Sequence, residues 1–135
     1  MKRNGLIIAG GVIAILRGIF GTLVGLGNLP SVNQLNLLVP GYTPVFYYEL
    51  LLSIAVLIIG IYSLVKAIDP GSAGTIRILG IVIIAAGVVD GVWALALLGG
   101  SATAIPSALG SVAALALIGG LLLAGATRLG KVTTA

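Results

Sequence analysis

Four apolar runs, each long enough to cross a bilayer, constrain this chain more than any other feature. They are separated by short stretches that hold turn residues and nearly all the charge. At about 1.5 Å of rise per helical residue, roughly 20 residues cross a hydrocarbon core of about 30 Å. In lipid every backbone polar group must be satisfied within the segment, so each run is read as a helix. The spans are expected at about 5–27, 47–68, 77–99 and 105–128, with an outer loop at 28–46. The expected fold is an all-α four-transmembrane-helix bundle forming a single membrane domain, 1–135.

Composition leaves little room for a soluble alternative. Charged residues make up 7% of the chain, against about 25% in soluble domains. Mean hydropathy is +1.27. The net charge of +4 is read as basic residues at the membrane surface, so no nucleic-acid partner is expected. Lys2, Arg3, Lys66, Arg77, Arg128 and Lys131 fall at the N-terminus, the second connection and the C-terminus. The first and third connections have no Lys or Arg. The positive-inside rule then predicts both termini in the cytoplasm and the chain in the plasma membrane. Lys2 and Arg3 before an apolar run also resemble a signal peptide. Arg17 interrupts that run, and no small-residue cleavage site closes it, so the first segment is read as a retained span.

The 28–46 stretch carries Pro30, Pro40 and Pro44, which break any long helix. Ser31 is placed to cap a short amphipathic piece through Leu38, with Leu35 and Leu38 on one side. Tyr42, Phe46, Tyr47, Tyr48 and Glu49 are assigned to the outer interface, where aromatic residues gather. Asp69, before Pro70, is read as a turn residue.

Two charges fall inside spans. Arg17-Gly18-Ile19-Phe20-Gly21 and Asp90-Gly91-Val92-Trp93-Ala94 share a pattern of charge, glycine, β-branched residue, aromatic and small residue. The offset of 73 residues suggests two repeated helical hairpins, with Arg17 and Asp90 at matching depths. A charge at the bilayer centre needs a partner or a water-filled cavity, so the two are read as an intramembrane ion pair. Phe20 and Trp93 lie beside them as shielding or as a cation–π contact for Arg17.

Small residues recur at helical spacing. Gly10, Ala14 and Gly18, with Gly21 and Gly25, mark the first span. Gly87, Gly91 and Ala94 mark the third, and Ala116, Gly120 and Ala124 the fourth. Such stripes let helix backbones approach closely in lipid, within a bundle or between subunits.

Signs of catalysis are lacking. The chain has neither Cys nor His, which removes thiolate and imidazole metal ligands, nucleophiles and bases. Ser53, Ser63, Ser107 and Ser111 have no base in view. Glu49, Asp69 and Asp90 are expected at three depths, so no metal site and no acid pair is expected within one subunit. No cofactor is expected, and the protein is not expected to be an enzyme. The leading expectation is a non-catalytic accessory or scaffold subunit of a larger membrane complex. Its partners would be the lipid bilayer and either other integral membrane subunits or further copies of itself. The alternative is a small homo-oligomeric transporter or channel for a small solute, for which Arg17 would suit an anion.

Overall fold

The computed structural model describes residues 5–38, 40–98 and 104–131, and all regular structure in them is helical. Helix α1 is Gly5–Asn28, α2 is Val32–Leu38, α3 is Tyr42–Val65, α4 is Ala73–Leu98 and α5 is Ala104–Lys131. A 3-10 turn at Leu29–Ser31 carries Pro30 and joins α1 to α2. Gly41 sits at φ 86° ahead of α3, a left-handed conformation that favours glycine. The sequence-based start of the second span at 47 is thus about one and a half turns late. Pro44 lies in the first turn of α3, where its missing N–H breaks no helical bond.

Four helices are long and apolar enough to cross a membrane: α1 (continuing through α2), α3, α4 and α5. Their outward faces are as apolar as their inward ones. Leu16, Leu23, Leu51, Ile58, Ile78 and Leu117 all stand exposed. A soluble bundle would turn polar residues outward there.

Helix α1 packs chiefly on α3 and then on α5, while α4 packs chiefly on α5 and then on α3. The bundle is therefore two tight hairpins, α1/α3 and α4/α5, laid side by side. The basic residues Lys66, Arg77 and Arg128 fall at one end of the helices, here termed the basic end. The α1–α3 connection marks the other, the loop end. Each hairpin closes on a pair of glycines. A Cβ on Gly60 would meet the Gly11 carbonyl oxygen at 2.8 Å, and one on Gly119 would meet that of Gly80 at 2.6 Å. Dispersion and backbone proximity hold such contacts in lipid, where burial of apolar surface is no driving force.

The two hairpins bury corresponding residues. Ile7, Gly11, Ala14 and Gly18 on α1 match Ile76, Gly80, Ile83 and Gly87 on α4, each 69 positions later. Val56, Gly60, Ser63 and Ala67 match Leu115, Gly119, Leu122 and Ala126, each 59 positions later. The second offset is shorter because the 28–41 connection has no counterpart of its length. The packing repeat differs by one helical turn from the 73-residue offset read in the sequence. Asp90 therefore corresponds to Gly21, and Arg17 to Ala86.

The small-residue stripes divide between two uses. Gly10 faces Leu121 and Leu122 of α5, while Gly18, Gly21 and Gly25 face Leu57, Ser53 and Leu50 of α3. Gly87 faces Leu115, and Ala14 and Gly91 are buried. Ala116, Gly120 and Ala124 instead point out of the bundle. The buried face of α5 is set by Leu115, Ile118, Leu122, Ala126 and Leu129.

At the basic end Asp69 organises the α3–α4 turn. It accepts from the Gly71 N–H at 3.0 Å and the Ser72 hydroxyl at 2.9 Å, and lies 3.9 Å from Lys66 Nζ.

The glycine pairs make a direct prediction. Gly119→Ala, whose Cβ meets Ile84 and the Gly80 carbonyl, should cost about 1–3 kcal/mol by overpacking. Gly120→Ala, next to it but facing open space, should change stability by less than about 0.5 kcal/mol. Unfolding of the purified protein by SDS in mild micelles measures both.

Candidate functional site

The polar residues of the spans meet in a cavity of about 510 Å³ between the two hairpins. Arg17 comes from α1, Glu49 and Ser53 from α3, Asp90 from α4 and Ser111 from α5. Phe20, Val24, Val45, Phe46, Leu50 and Leu97 supply apolar wall, and Asn28 and Tyr42 stand towards the loop end.

Helix geometry sets the depths. Glu49 lies seven residues into α3, about 10 Å from its start, and Asp90 lies eight residues before the end of α4, about 12 Å from it. The helices run antiparallel, so the two acids arrive at one level. This corrects the expectation that the three acids lie at separate depths. Once α3 begins at Tyr42, Glu49 moves from the rim to the second turn and faces Asp90. Both side chains line the same cavity. Asp69 stays apart, in the turn at the basic end.

Arg17 lies roughly one turn deeper, about 16 Å from the end of α1. Its Nη1 donates to Ser53 Oγ at 3.4 Å, and Ser53 in turn donates to the Glu49 carbonyl at 3.0 Å. Gly21 keeps this route open, since a Cβ there would strike both Ser53 Oγ and the Arg17 guanidinium. Asp90 is 3% exposed. Its Oδ2 accepts from Ser111 Oγ at 3.2 Å, while Oδ1 receives no hydrogen bond among the described residues.

The direct Arg17–Asp90 ion pair expected from the sequence is not among the contacts of the described residues. The one-turn difference between the packing repeat and the sequence echo puts Arg17 beside Ser53 and Asp90 beside Ser111 and Glu49. Both charges line the same cavity. Counted formally, one guanidinium faces two carboxyls.

The aromatic cluster has a partly different role from an interfacial belt. Phe46 is buried, with its ring 6.2 Å from Tyr42 and edge-on to Tyr47 at 5.6 Å. Tyr47 is exposed. Tyr48 turns to α4, where its hydroxyl donates to the Ala86 carbonyl at 2.8 Å and its ring packs on Trp93 at 5.7 Å. Trp93 thereby ties α4 to α3 instead of covering Arg17. Ala94 lines the cavity.

Ser53 and Ser111 escaped the sequence reading as site residues because they were weighed only as nucleophiles. The signal available was their position, since both fall on the cavity-facing side of the second helix of a hairpin. Among the described residues no cluster of three metal-ligating side chains occurs. No family model, curated protein or solved structure matches this chain.

The charge arrangement predicts non-additive mutational effects. Arg17→Leu removes the counter-charge of the cavity's carboxyls and the hydrogen bond to Ser53, and should cost about 1–3 kcal/mol. Arg17→Leu combined with Asp90→Asn removes charge of both signs and should recover more than half of that loss. Thermal midpoints of the four members of this double-mutant cycle in one detergent test the coupling.

Proposed function

We propose that this protein is a small membrane transporter or channel subunit that takes up a small polar solute in the cavity between its hairpins. The observation that carries the reading is the cavity itself. It places Arg17, Glu49 and Asp90, from three different helices, along one space within the bundle. Intramembrane ionisable residues that face a shared cavity are the expected mark of a solute or ion pathway. A volume of about 510 Å³ falls in the range of small-molecule sites, which run from about 300 to 1,000 Å³.

The basic residues support a direction. On the positive-inside rule the basic end is cytoplasmic and both termini are inside. Asn28, Tyr42 and Leu97 line the cavity at the loop end, so on this reading the cavity opens to the side opposite the cytoplasm. Solute would enter from outside, with the charged residues as its first binding station.

A second reading, an accessory subunit of a larger membrane complex, draws support from α5. Ala116, Gly120 and Ala124 are exposed, and a Cβ on Gly120 would meet nothing within 4 Å. Such a face suits close approach of another helix, from a second copy or from a different subunit. Native mass spectrometry of gently extracted protein separates the two. A homo-oligomer favours the transporter reading. Fixed-stoichiometry association with larger membrane subunits favours the accessory role.

The cavity reading has its own test, made simple because the chain has no cysteine of its own. Ala94→Cys and Ala114→Cys place thiols on the cavity wall, whereas Val88→Cys places one on the outward face of α4. A charged, membrane-impermeant methanethiosulfonate reagent should modify the two cavity positions at least about tenfold faster than Val88→Cys in proteoliposomes, because the reagent cannot enter hydrocarbon. Equal, slow modification at all three positions would overturn the reading.

A further inference from the structure

We propose that the Glu49–Asp90 carboxyl pair binds the ammonium group of a small organic monocation, taken up in one-for-one exchange for a proton that the two carboxyls share. The proposal rests on the cavity reading above and identifies the chemical class of the solute.

The first ground is an incomplete hydrogen-bond set. Asp90 is nearly fully buried, and Ser111 satisfies only one of its two oxygens. Oδ1 is buried without a hydrogen-bond donor among the described residues, and Asp90 lines the cavity at the level of Glu49, which lines it too. Two ionised carboxylates cannot donate to each other, and facing each other in low dielectric they repel. A single proton between them removes the repulsion and supplies the missing donor. A cation with N–H groups supplies the same donor by displacing that proton.

The second ground is charge balance. With one proton shared, the pair carries a single negative charge and Arg17 offsets it. With the proton released and a monocation bound, two carboxylates face Arg17 and the ligand. The buried site is neutral in both states. An anion drawn by Arg17 would leave the site negative in the presence of either carboxylate form. A divalent cation would leave it positive even after the shared proton departs. The carboxyl O–H bond breaks and its proton passes to water; N–H···O bonds from the ammonium group then replace the O–H···O bond between the carboxyls.

The third ground is the wall. The cavity is far larger than a bare ion, and Phe20, Val24, Phe46, Leu50 and Leu97 are among the residues that line it. These suit the apolar remainder of an organic amine. The other groups facing the pair are few. Arg17 from α1 and Tyr42 from α3 line the cavity with it, the Tyr48 hydroxyl of α3 is bound to the Ala86 carbonyl, and α5 contributes Ser111 and no ionisable group to the lining.

The test uses the full-length protein in detergent with benzylammonium chloride as the cation and sodium benzoate as the anion of matching shape. Calorimetric titrations in two buffers of different ionisation enthalpy report both binding and proton release. The expected result is saturable benzylammonium binding with release of about one proton per cation bound, and no benzoate binding. Asp90→Asn should lose both binding and release. Glu49→Gln should lose the proton release. Elution and helicity matching the parent protein identify the folded variants. Benzylammonium binding without proton release overturns the exchange, as does binding that survives in folded Asp90→Asn. Benzoate binding alone overturns this inference while leaving the cavity reading intact. Binding of neither ion overturns the inference, and slow cysteine modification at Ala94 and Ala114 would then overturn the cavity reading as well.

Discussion

The cost of keeping charge away from water governs this structure. Arg17, Glu49 and Asp90 all lie on helices that are otherwise apolar on every side. In a membrane, none could face lipid at that depth without a penalty of several kcal/mol. The bundle therefore has to arrange its rotation angles so that all three point to one interior space. The four chief helix contacts follow from that requirement together with the glycine pairs. Ser53 and Ser111 complete it, each accepting or donating at the charged group of its own hairpin. By the 59-residue offset Ser53 corresponds to Val112, so Ser111 lies one residue from the equivalent position and its hydroxyl reaches a carboxylate instead of a cation.

Much of this was legible in the sequence. Helices exist where apolar runs of spanning length occur, since the backbone has no other solution in lipid. The short helix Val32–Leu38 lies within the stretch that Ser31 was expected to open. What failed was register. The echo of Arg17 in Asp90 is real as a pattern of residue types, yet the packing sets Gly11 against Gly60 and Gly80 against Gly119. Close backbone contacts fix height more firmly than side-chain likeness, and they displace the echo by one turn. Glu49 was misplaced for a related reason. Pro44 reads as a helix breaker in a string, but in the first turn of α3 it costs no hydrogen bond. The helix therefore starts earlier and carries Glu49 inward. A cavity shared by four helices has no signature along a single chain, because its members are spread from position 17 to position 111.

The packing is uneven in a way that bears on function. Within each hairpin, backbones touch at glycine, and the contacts run nearly the whole helix length. Between hairpins the contacts are thinner, most of all between α3 and α4, where Tyr48 reaches across to Ala86 and Trp93. The cavity occupies this seam. A tightly packed core is bistable more readily than it is deformable, so any rearrangement that changes access costs least as a rigid shift of one hairpin against the other. The residues that would feel such a shift are the ones at the site. Arg17 and its serine belong to one hairpin, and Asp90 and its serine belong to the other. Glu49, carried by the first hairpin and facing the acid of the second, is the side chain whose environment depends most on how the two halves sit together. The two carboxyls come from different hairpins, so their separation is set by how the two halves of the bundle sit together.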